Sequence, residues 1–262
     1  IALSKLNLRR IQMARFLNGA DIDTENCFPR FDIDDFDGDA AHIAELVRES
    51  WKLPFGPVMN LIQAIENAGG IVLTEFFGTR KLDAISQVVP GLPPIFLINS
   101  ELPGDRLRFT LAHELGHIIM HTFPSEDMER EADQFASEFL MPARDIATDL
   151  ESLTWSDLAR LKSYWKVSMA ALITRARDLD KISTRQYQTF SEKLAKSGYR
   201  IKEPIPIAIE NPSLAKEIID FYRNENGYSL TELSNLAVLE ETEFRSLYWH
   251  SERKLRVVGN TW

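Results

Sequence analysis

The sequence predicts an α+β fold, with a small three-stranded sheet packed on a bundle of helices and an all-α region after it. Three short apolar runs at 71–77, 83–89 and 95–99 are separated by turn residues, which is typical of the strands of a small sheet. Apolar residues at helical spacing begin after Asp39, and the same spacing resumes from about residue 105. Helices are therefore expected both before and after the three strands in the sequence.

The composition is that of an ordinary globular protein and excludes several classes of function. Hydrophobic residues make up 44% of the 262 positions and charged residues 26%. The net charge of -9 argues against a general nucleic-acid binder. Cys27 is the only cysteine, which excludes an intramolecular disulfide and a thiolate-held zinc, and predicts a reducing, cytoplasmic setting. No apolar run reaches the roughly 18 residues that a membrane span needs, so no membrane partner is expected.

The chain is expected to divide into three regions. Residues 1–38 are predicted to form a short helix and a solvated, strongly acidic linker. Residues 39–150 contain the sheet and the helices around it. Residues 151–262 are predicted to be helical, with two pairs of helices at 154–179 and 229–248 whose spacing resembles a helix-turn-helix.

Charge is unevenly distributed along the chain. Residues 151–200 contain ten Lys and Arg against five Asp and Glu, a local balance of +5 within an acidic protein. This balance suggests that the C-terminal region contacts DNA or a protein partner. The sequence begins with Ile1 rather than Met, which is compatible with a processed or trimmed chain.

The motif His113-Glu-Leu-Gly-His117 lies within the helix predicted for residues 105–121. Two residues four apart leave the same face of a helix, about 6 Å apart along its axis. Two imidazoles in this position can bind one Zn²⁺, and Glu114 between them is predicted to act as the general base on a water molecule.

A catalytic zinc site needs a third protein ligand, which we expect from the helix predicted for residues 125–141. At about 100° per residue, Glu129 projects within the apolar stripe of this helix. A buried acid is costly unless it is paired or binds a metal, which predicts Glu129 as the third ligand. Asp133, one turn later, is predicted to accept a hydrogen bond from the far nitrogen of one of the histidines.

Two further residues near the motif are assigned other roles. Glu131 falls outside the apolar stripe and is predicted to be a solvated surface acid, although it remains the alternative third ligand. His121 lies about 12 Å along the axis from His113, too far for the same zinc ion. It is predicted to be a helix-end histidine that faces the C-terminal dipole, with a place in the substrate cleft as the alternative.

The motif and its surroundings resemble known zinc peptidases. His113-Glu-Leu-Gly-His117, followed by Glu129-x-x-x-Asp133, is similar to the motifs of the thermolysin-type peptidases (gluzincins). The wider sequence resembles the ImmA/IrrE family of bacterial and phage metallopeptidases. The landmarks are Arg108-Phe-Thr-Leu-Ala-His-Glu-Leu-Gly-His117, Glu129-x-Glu-Ala-Asp-x-Phe-Ala136 and Phe139-Leu-Met-Pro142. The resemblance covers about residues 40–145, and residues 150–200 are similar to the extension of members fused to a helix-turn-helix regulator domain.

The resemblance implies a cytoplasmic zinc protease that cleaves a repressor protein, often a helix-turn-helix transcription factor encoded beside it, in stress or mobile-element gene regulation. From the residues, we predict that His113, His117 and Glu129 hold Zn²⁺ and that Glu114 moves the proton. The alternative is a transcriptional regulator or sensor that uses the peptidase fold as a scaffold. It would contact DNA through the C-terminal region or through an N-terminal domain upstream of this sequence. A purely structural zinc is a third interpretation, which the presence of a general base disfavours.

Overall fold

The computed structural model describes residues 2–19, 27–79 and 81–249. Its strands are β1 Ile71–Glu75, β2 Ala84–Gln87 and β3 Ile95–Asn99. Its α-helices are α1 Ala2–Gly19, α2 Ala40–Ser50, α3 Leu61–Asn67, α4 Gly104–Met120, α5 Met128–Leu140, α6 Ala143–Leu150, α7 Asp157–Trp165, α8 Met169–Asp178, α9 Thr184–Lys196, α10 Leu214–Asn224, α11 Leu230–Ala237 and α12 Glu241–Leu247. The predicted α+β fold is confirmed. No helix within these ranges is both long and apolar enough to cross a bilayer.

The chain forms two compact units. One contains residues 1–6 and 24–212, and the other contains residues 7–23 and 213–262. The boundary expected at residue 150 falls inside the first unit. The reason is that α7, α8 and α9 bury apolar side chains in the same hydrophobic core as α2 to α6, including Leu158, Trp165, Leu172 and Leu194.

The sheet has the strand order β1-β3-β2. β1 pairs in parallel with β3, with Ile71 opposite Ile95, and β2 pairs antiparallel to β3, with Ile85 opposite Leu97. Every residue of the central strand β3 is buried, as its uninterrupted apolar sequence predicts. Within the described residues, β2 is thus an outer strand with one unpaired edge.

The motif helix α4 follows β3 directly and packs closely against α5. Gly116 explains the closeness of this packing, because a Cβ at that position would lie 3.2 Å from the ring of Phe135 on α5. Glycine in the middle of a helix costs about 1 kcal/mol relative to alanine, and here it allows the two helices to approach. The approach places the first turn of α5 beside the two motif histidines.

Residues 201–211 lack regular secondary structure, as their prolines predict, and one carboxylate joins this segment to the motif helix. Glu210 Oε2 accepts hydrogen bonds from the N–H groups of Leu61 and Ile62 at 2.7 and 3.0 Å, in the first turn of α3. Its Oε1 forms an ion pair with Arg108 of α4, whose side chain is fully buried. Arg108 also donates to the carbonyl of Val58 at 2.5 Å. These contacts hold α3 and α4 to the same extended segment.

The acidic segment before α2 differs in part from the predicted solvated linker. Residues 21–26 lie outside the described residues, but from residue 27 onward the chain packs against the first unit. Phe28 is buried, and the N–H of Phe31 donates to the carbonyl of Ile119 at 3.0 Å. The acidic side chains are exposed as predicted, and Asp39 caps α2. The phenylalanines between the acids therefore hold the segment in place.

The second unit surrounds an aromatic cluster. Phe16 of α1 makes edge-on contacts with Tyr222, Phe244 and Tyr248, at centroid distances of 5.9, 6.3 and 5.9 Å. Tyr222 donates a hydrogen bond to the carbonyl of Phe16 at 2.6 Å. Ser229 and Glu232 form a capping box at the start of α11.

Candidate metal centre and general base

The two motif histidines and Glu129 come together at one point on the surface of the first unit. The Nε2 atoms of His113 and His117 are 3.0 Å apart, on the same face of α4. Glu129, in the first turn of α5, brings its Oε2 to 3.4 Å from His113 Nε2 and its Oε1 to 3.6 Å from His117 Nε2. Among the described residues, these three form the group of potential metal ligands, with one donor atom of each within 4.8 Å of the others.

The ring of His113 is oriented by a carboxylate on α5. Asp133 Oδ1 lies 2.8 Å from His113 Nδ1, on the side of the ring opposite to Glu129. Burial lowers the pKa of His113, but the hydrogen bond and charge of Asp133, with the charges of Glu114 and Glu129, outweigh burial and raise the pKa above its ordinary value. Since a carboxylate can only accept, the proton of neutral His113 is on Nδ1, which leaves the Nε2 lone pair directed toward His117 and Glu129.

The ring of His117 is oriented by a longer chain of groups. Its Nδ1 lies 2.9 Å from His121 Nδ1, and His121 Nε2 lies 3.1 Å from Glu131 Oε2. Burial, together with the neighbouring rings of His113 and His121, lowers the pKa of His117 from 6.5 to about 4. His117 is therefore neutral at physiological pH, which is the state that binds a metal.

The burial of two acids on α5 is the reverse of the prediction. The side chain of Glu129 is 73% exposed, whereas that of Glu131 is 8% exposed. α5 packs against both α4 and α2, so more of its surface is buried than the apolar stripe alone. The two acids within this wider buried surface, Glu131 and Glu138, are each paired. Glu131 pairs with His121, and Glu138 pairs with Arg175. Glu129 lies on the solvent-exposed side of α5 and faces the two histidines. This position is compatible with its predicted role as the third metal ligand, although the argument from burial was wrong.

His121 also differs from the prediction. It is the C-cap residue of α4, and its side chain is 5% exposed, so it does not simply face the helix dipole from solvent. Its ring lies between His117 and Glu131. It stays outside the group of potential ligands, as predicted, but it contacts one of them directly.

Glu114 lies beside this group with its carboxylate partly fixed. Ser86 of β2 donates a hydrogen bond to Glu114 Oε2 at 2.5 Å. Burial raises the pKa of Glu114 above 4.5, against the opposing effects of the Ser86 hydrogen bond and the charge of His113. A carboxylate whose pKa is raised toward neutrality is suited to take up and release a proton at physiological pH.

The residues present fit a zinc ion. Two imidazole nitrogens and one carboxylate are the donor set of the catalytic zinc sites with two histidines and a glutamate. The Nε2 atoms of His113 and His117 face each other at 3.0 Å, while their Nδ1 atoms lie against Asp133 and His121. Two unprotonated nitrogens in this position repel each other unless a proton or a cation lies between them, and the carboxylate of Glu129 would offset part of the charge of a divalent cation.

Ser86 and the chain from His121 to Glu131 were not predicted as parts of the site. Ser86 is a polar residue within a short strand, and no motif marks it. His121 carries a detectable pattern, because it lies four residues after His117 and so shares its side of the helix. Glu131 could not have been paired with it from spacing alone, since the partner lies on another helix.

The comparison with known proteins agrees with this geometry. The model of the M78 peptidase family, described as an IrrE N-terminal-like domain, matches residues 67–177. No curated protein matches the chain. The matched segment contains the sheet, both helices of the site and also α6, α7 and most of α8. Compared with the expected range of about residues 40–145, it begins later, without α2 and most of α3, and ends later. Residues 67–177 are therefore similar to the IrrE N-terminal-like domain of the M78 peptidases.

Proposed function

We propose that this protein is a zinc-dependent endopeptidase. The observation that carries the proposal is the position of the Glu114 carboxylate, which has a raised pKa and lies beside the group formed by His113, His117 and Glu129. A structural zinc site has no need of a general base next to its ligands. The match to a peptidase family supports the same chemistry.

Each residue of the site has a definite part in the proposed reaction. His113, His117 and Glu129 would hold Zn²⁺, which when bound supplies Lewis-acid activation of water and of the peptide carbonyl. Ser86 occupies Glu114 Oε2, which leaves Oε1 to take the proton of the attacking water. Glu114 then returns this proton to the amide nitrogen as the C–N bond breaks, so that the amine leaves in neutral form.

Two features of the surface suit a polypeptide substrate. The unpaired edge of β2 lies beside the general base, because Ser86 of this strand contacts Glu114. An extended peptide could pair with such an edge through main-chain hydrogen bonds. In addition, an open groove of about 1940 Å³ runs beside the site, where Thr110 and Asp133 line it, and it is larger than a typical small-molecule pocket.

For the substrate, we propose a helix-turn-helix transcriptional repressor, cleaved during a stress response or during control of a mobile element. Support for this substrate comes from the family resemblance. A cytoplasmic location fits both this role and the single exposed Cys27.

The test is to incubate the zinc-loaded protein with the repressor encoded beside its gene and to follow the intact masses of both proteins. We expect two complementary fragments of the repressor with the wild type and none with Glu114→Gln or after removal of zinc by EDTA. An intact repressor under all conditions would contradict the proposed substrate. Equal cleavage by Glu114→Gln would contradict the mechanism.

The alternative of a DNA-binding regulator gains little support from the first of the two helix pairs. In a helix-turn-helix, the second helix presents its N-terminal residues to DNA. Here that helix is α8, and the carboxylate of Glu203 accepts hydrogen bonds from its first N–H groups, those of Met169 and Ala170, at 2.7 and 3.2 Å. A negative charge at this helix end would repel a phosphate backbone. A gel-shift assay with DNA upstream of the repressor gene tests the alternative directly.

A further inference from the structure

We propose that His121 and Glu131 are positioning residues that hold His117 in the tautomer and orientation needed to bind the metal. The inference rests on the proposed zinc site and extends it by one series of hydrogen-bonded side chains. This series, called here the His121–Glu131 relay, consists of the side chains of His121 and Glu131 and their contact with His117.

The geometry allows only one arrangement of protons when the rings are neutral. Glu131 is a carboxylate and accepts, so His121 must carry its proton on Nε2, 3.1 Å away. His121 Nδ1 is then an acceptor, and the atom facing it at 2.9 Å is His117 Nδ1, which must donate. His117 consequently has its lone pair on Nε2, the atom directed at His113 and Glu129. Glu131, which contacts His121 and reaches His117 only through it, thus selects the metal-binding tautomer of His117.

Both ligand histidines are therefore oriented by carboxylates of α5, but by different routes. Asp133 contacts His113 directly, and its side chain is 64% exposed. Glu131 acts on His117 through His121, and the two side chains of this relay are 8% and 5% exposed. A hydrogen bond in a site shielded from water is stronger than an exposed one, so the relay should constrain His117 more firmly than Asp133 constrains His113.

The pairing of Glu131 differs from that of two other buried acids of the first unit, Glu138 and Asp105. Glu138 pairs with Arg175, and Asp105 pairs with Lys162, so in both cases a permanent positive charge compensates the carboxylate. The nearest such charge to Glu131 is Arg130, whose Nη2 lies 3.8 Å from Oε1, beyond hydrogen-bond distance. A buried carboxylate is costly unless it is paired, and the close partner of Glu131 is an imidazole and not a permanent cation. The direction of that imidazole toward a potential ligand accounts for it.

The experiment compares four variants with the wild type. His121→Leu removes the acceptor of His117. His121→Asn keeps an oxygen at about the position of Nδ1, because both atoms are bonded to Cγ. The double variant His121→Leu/Glu131→Leu removes the relay without leaving a buried carboxylate unpaired. His42→Leu is the matched control, since His42 is an exposed histidine of α2 that lies near Glu45 and the ring of Phe36.

Three quantities are measured on each variant: zinc affinity by competition with a chelator, thermal unfolding in EDTA, and the visible spectrum after loading with Co²⁺. We expect His121→Leu to bind zinc about 10–100-fold more weakly than the wild type, as for the loss of other groups that orient metal ligands. His121→Asn should recover most of this loss and restore the Co²⁺ spectrum. The double variant should unfold near the wild-type temperature in EDTA but bind zinc as weakly as His121→Leu. The control should match the wild type in zinc affinity.

Two results would overturn the inference. One is a His121→Leu protein that binds zinc as tightly as the wild type. The other is a double variant whose zinc affinity returns together with its stability, because the defect would then come from an unpaired buried charge and not from the orientation of His117.

The outcome also separates this inference from the proposed function. If the wild type cleaves its substrate and His121→Leu keeps full zinc affinity, only the relay is wrong. If the wild type cleaves nothing but the relay variants bind zinc weakly, the relay is supported and the peptidase proposal fails. A wild-type protein that binds no zinc would overturn both.

Discussion

Replacing Glu210 by Gln should destabilise the protein strongly, although the change is nearly isosteric and far along the sequence from the motif. The carboxylate of Glu210 has two tasks at once. Oε2 accepts from the N–H groups of Leu61 and Ile62, and Oε1 pairs with the buried guanidinium of Arg108. A glutamine has one oxygen and one NH₂ group, so one of the two sets of donors would face another donor.

The magnitude follows from the burial of the pair. The side chain of Arg108 is 0% exposed and that of Glu210 is 10% exposed. Burial lowers the pKa of Arg108, and the charge and hydrogen bond of Glu210 oppose this effect. Removing one partner of a buried ion pair typically costs about 3–5 kcal/mol, because the other charge stays buried without compensation. At roughly 2–4 °C per kcal/mol for a unit of this size, the unfolding temperature should fall by about 6–20 °C.

The assay is thermal and urea unfolding of the wild type and of Glu210→Gln in EDTA, so that metal binding does not contribute. Glu192→Gln is the matched control, because it changes the same group in an exposed pair with Lys196 on α9 at 3.4 Å. Such surface pairs contribute about 0.3–0.5 kcal/mol. If Glu210→Gln cost no more than Glu192→Gln, the assignment of Glu210 as the anchor of α3 and α4 would be refuted.

Three further predictions concern the site itself. Glu114→Gln should keep zinc, measured by elemental analysis, and lose about 10²–10⁴-fold in peptide hydrolysis; a smaller loss would mean that another group moves the proton. Asp133→Asn should weaken zinc binding about 10–100-fold in a chelator competition, because His113 loses its charged partner, and unchanged affinity would contradict this role. In EDTA, the wild type should lose up to about 3 kcal/mol of stability relative to His117→Gln as the pH falls from about 6.5 to about 4. The sign follows because the pKa of His117 is lowered to about 4 in the folded state, so the unfolded chain binds the proton first. Urea unfolding across this pH range measures the difference, and a constant difference would contradict it.

Those parts of the fold that depend on local sequence could be predicted. The three strands and the motif helix follow from apolar periodicity and turn residues. The helix Ala143–Leu150 begins directly after Pro142, because proline is well tolerated at the start of a helix. α3 begins at Leu61, because Asn60 caps it.

The site could be predicted as far as spacing along a helix determines it. Two histidines four apart must share a face, and Asp133 must lie on the same side of α5 as Glu129. Which of the acids on α5 is buried depends on the neighbours that cover each flank, and a helical wheel of one helix contains no information about them. For the same reason, the contact of Ser86 with Glu114 and the pairing of His121 with Glu131 follow only from the packing of separate elements.

The central claim is that His113, His117 and Glu129 hold one zinc ion. The most direct test is the zinc content per chain of the wild type and of Glu129→Gln after equilibration with limiting zinc, with Glu126→Gln as the matched control at an exposed acid just before α5. We expect one zinc ion per chain in the wild type and the control and a much lower content in Glu129→Gln. Full zinc content in Glu129→Gln would contradict the account.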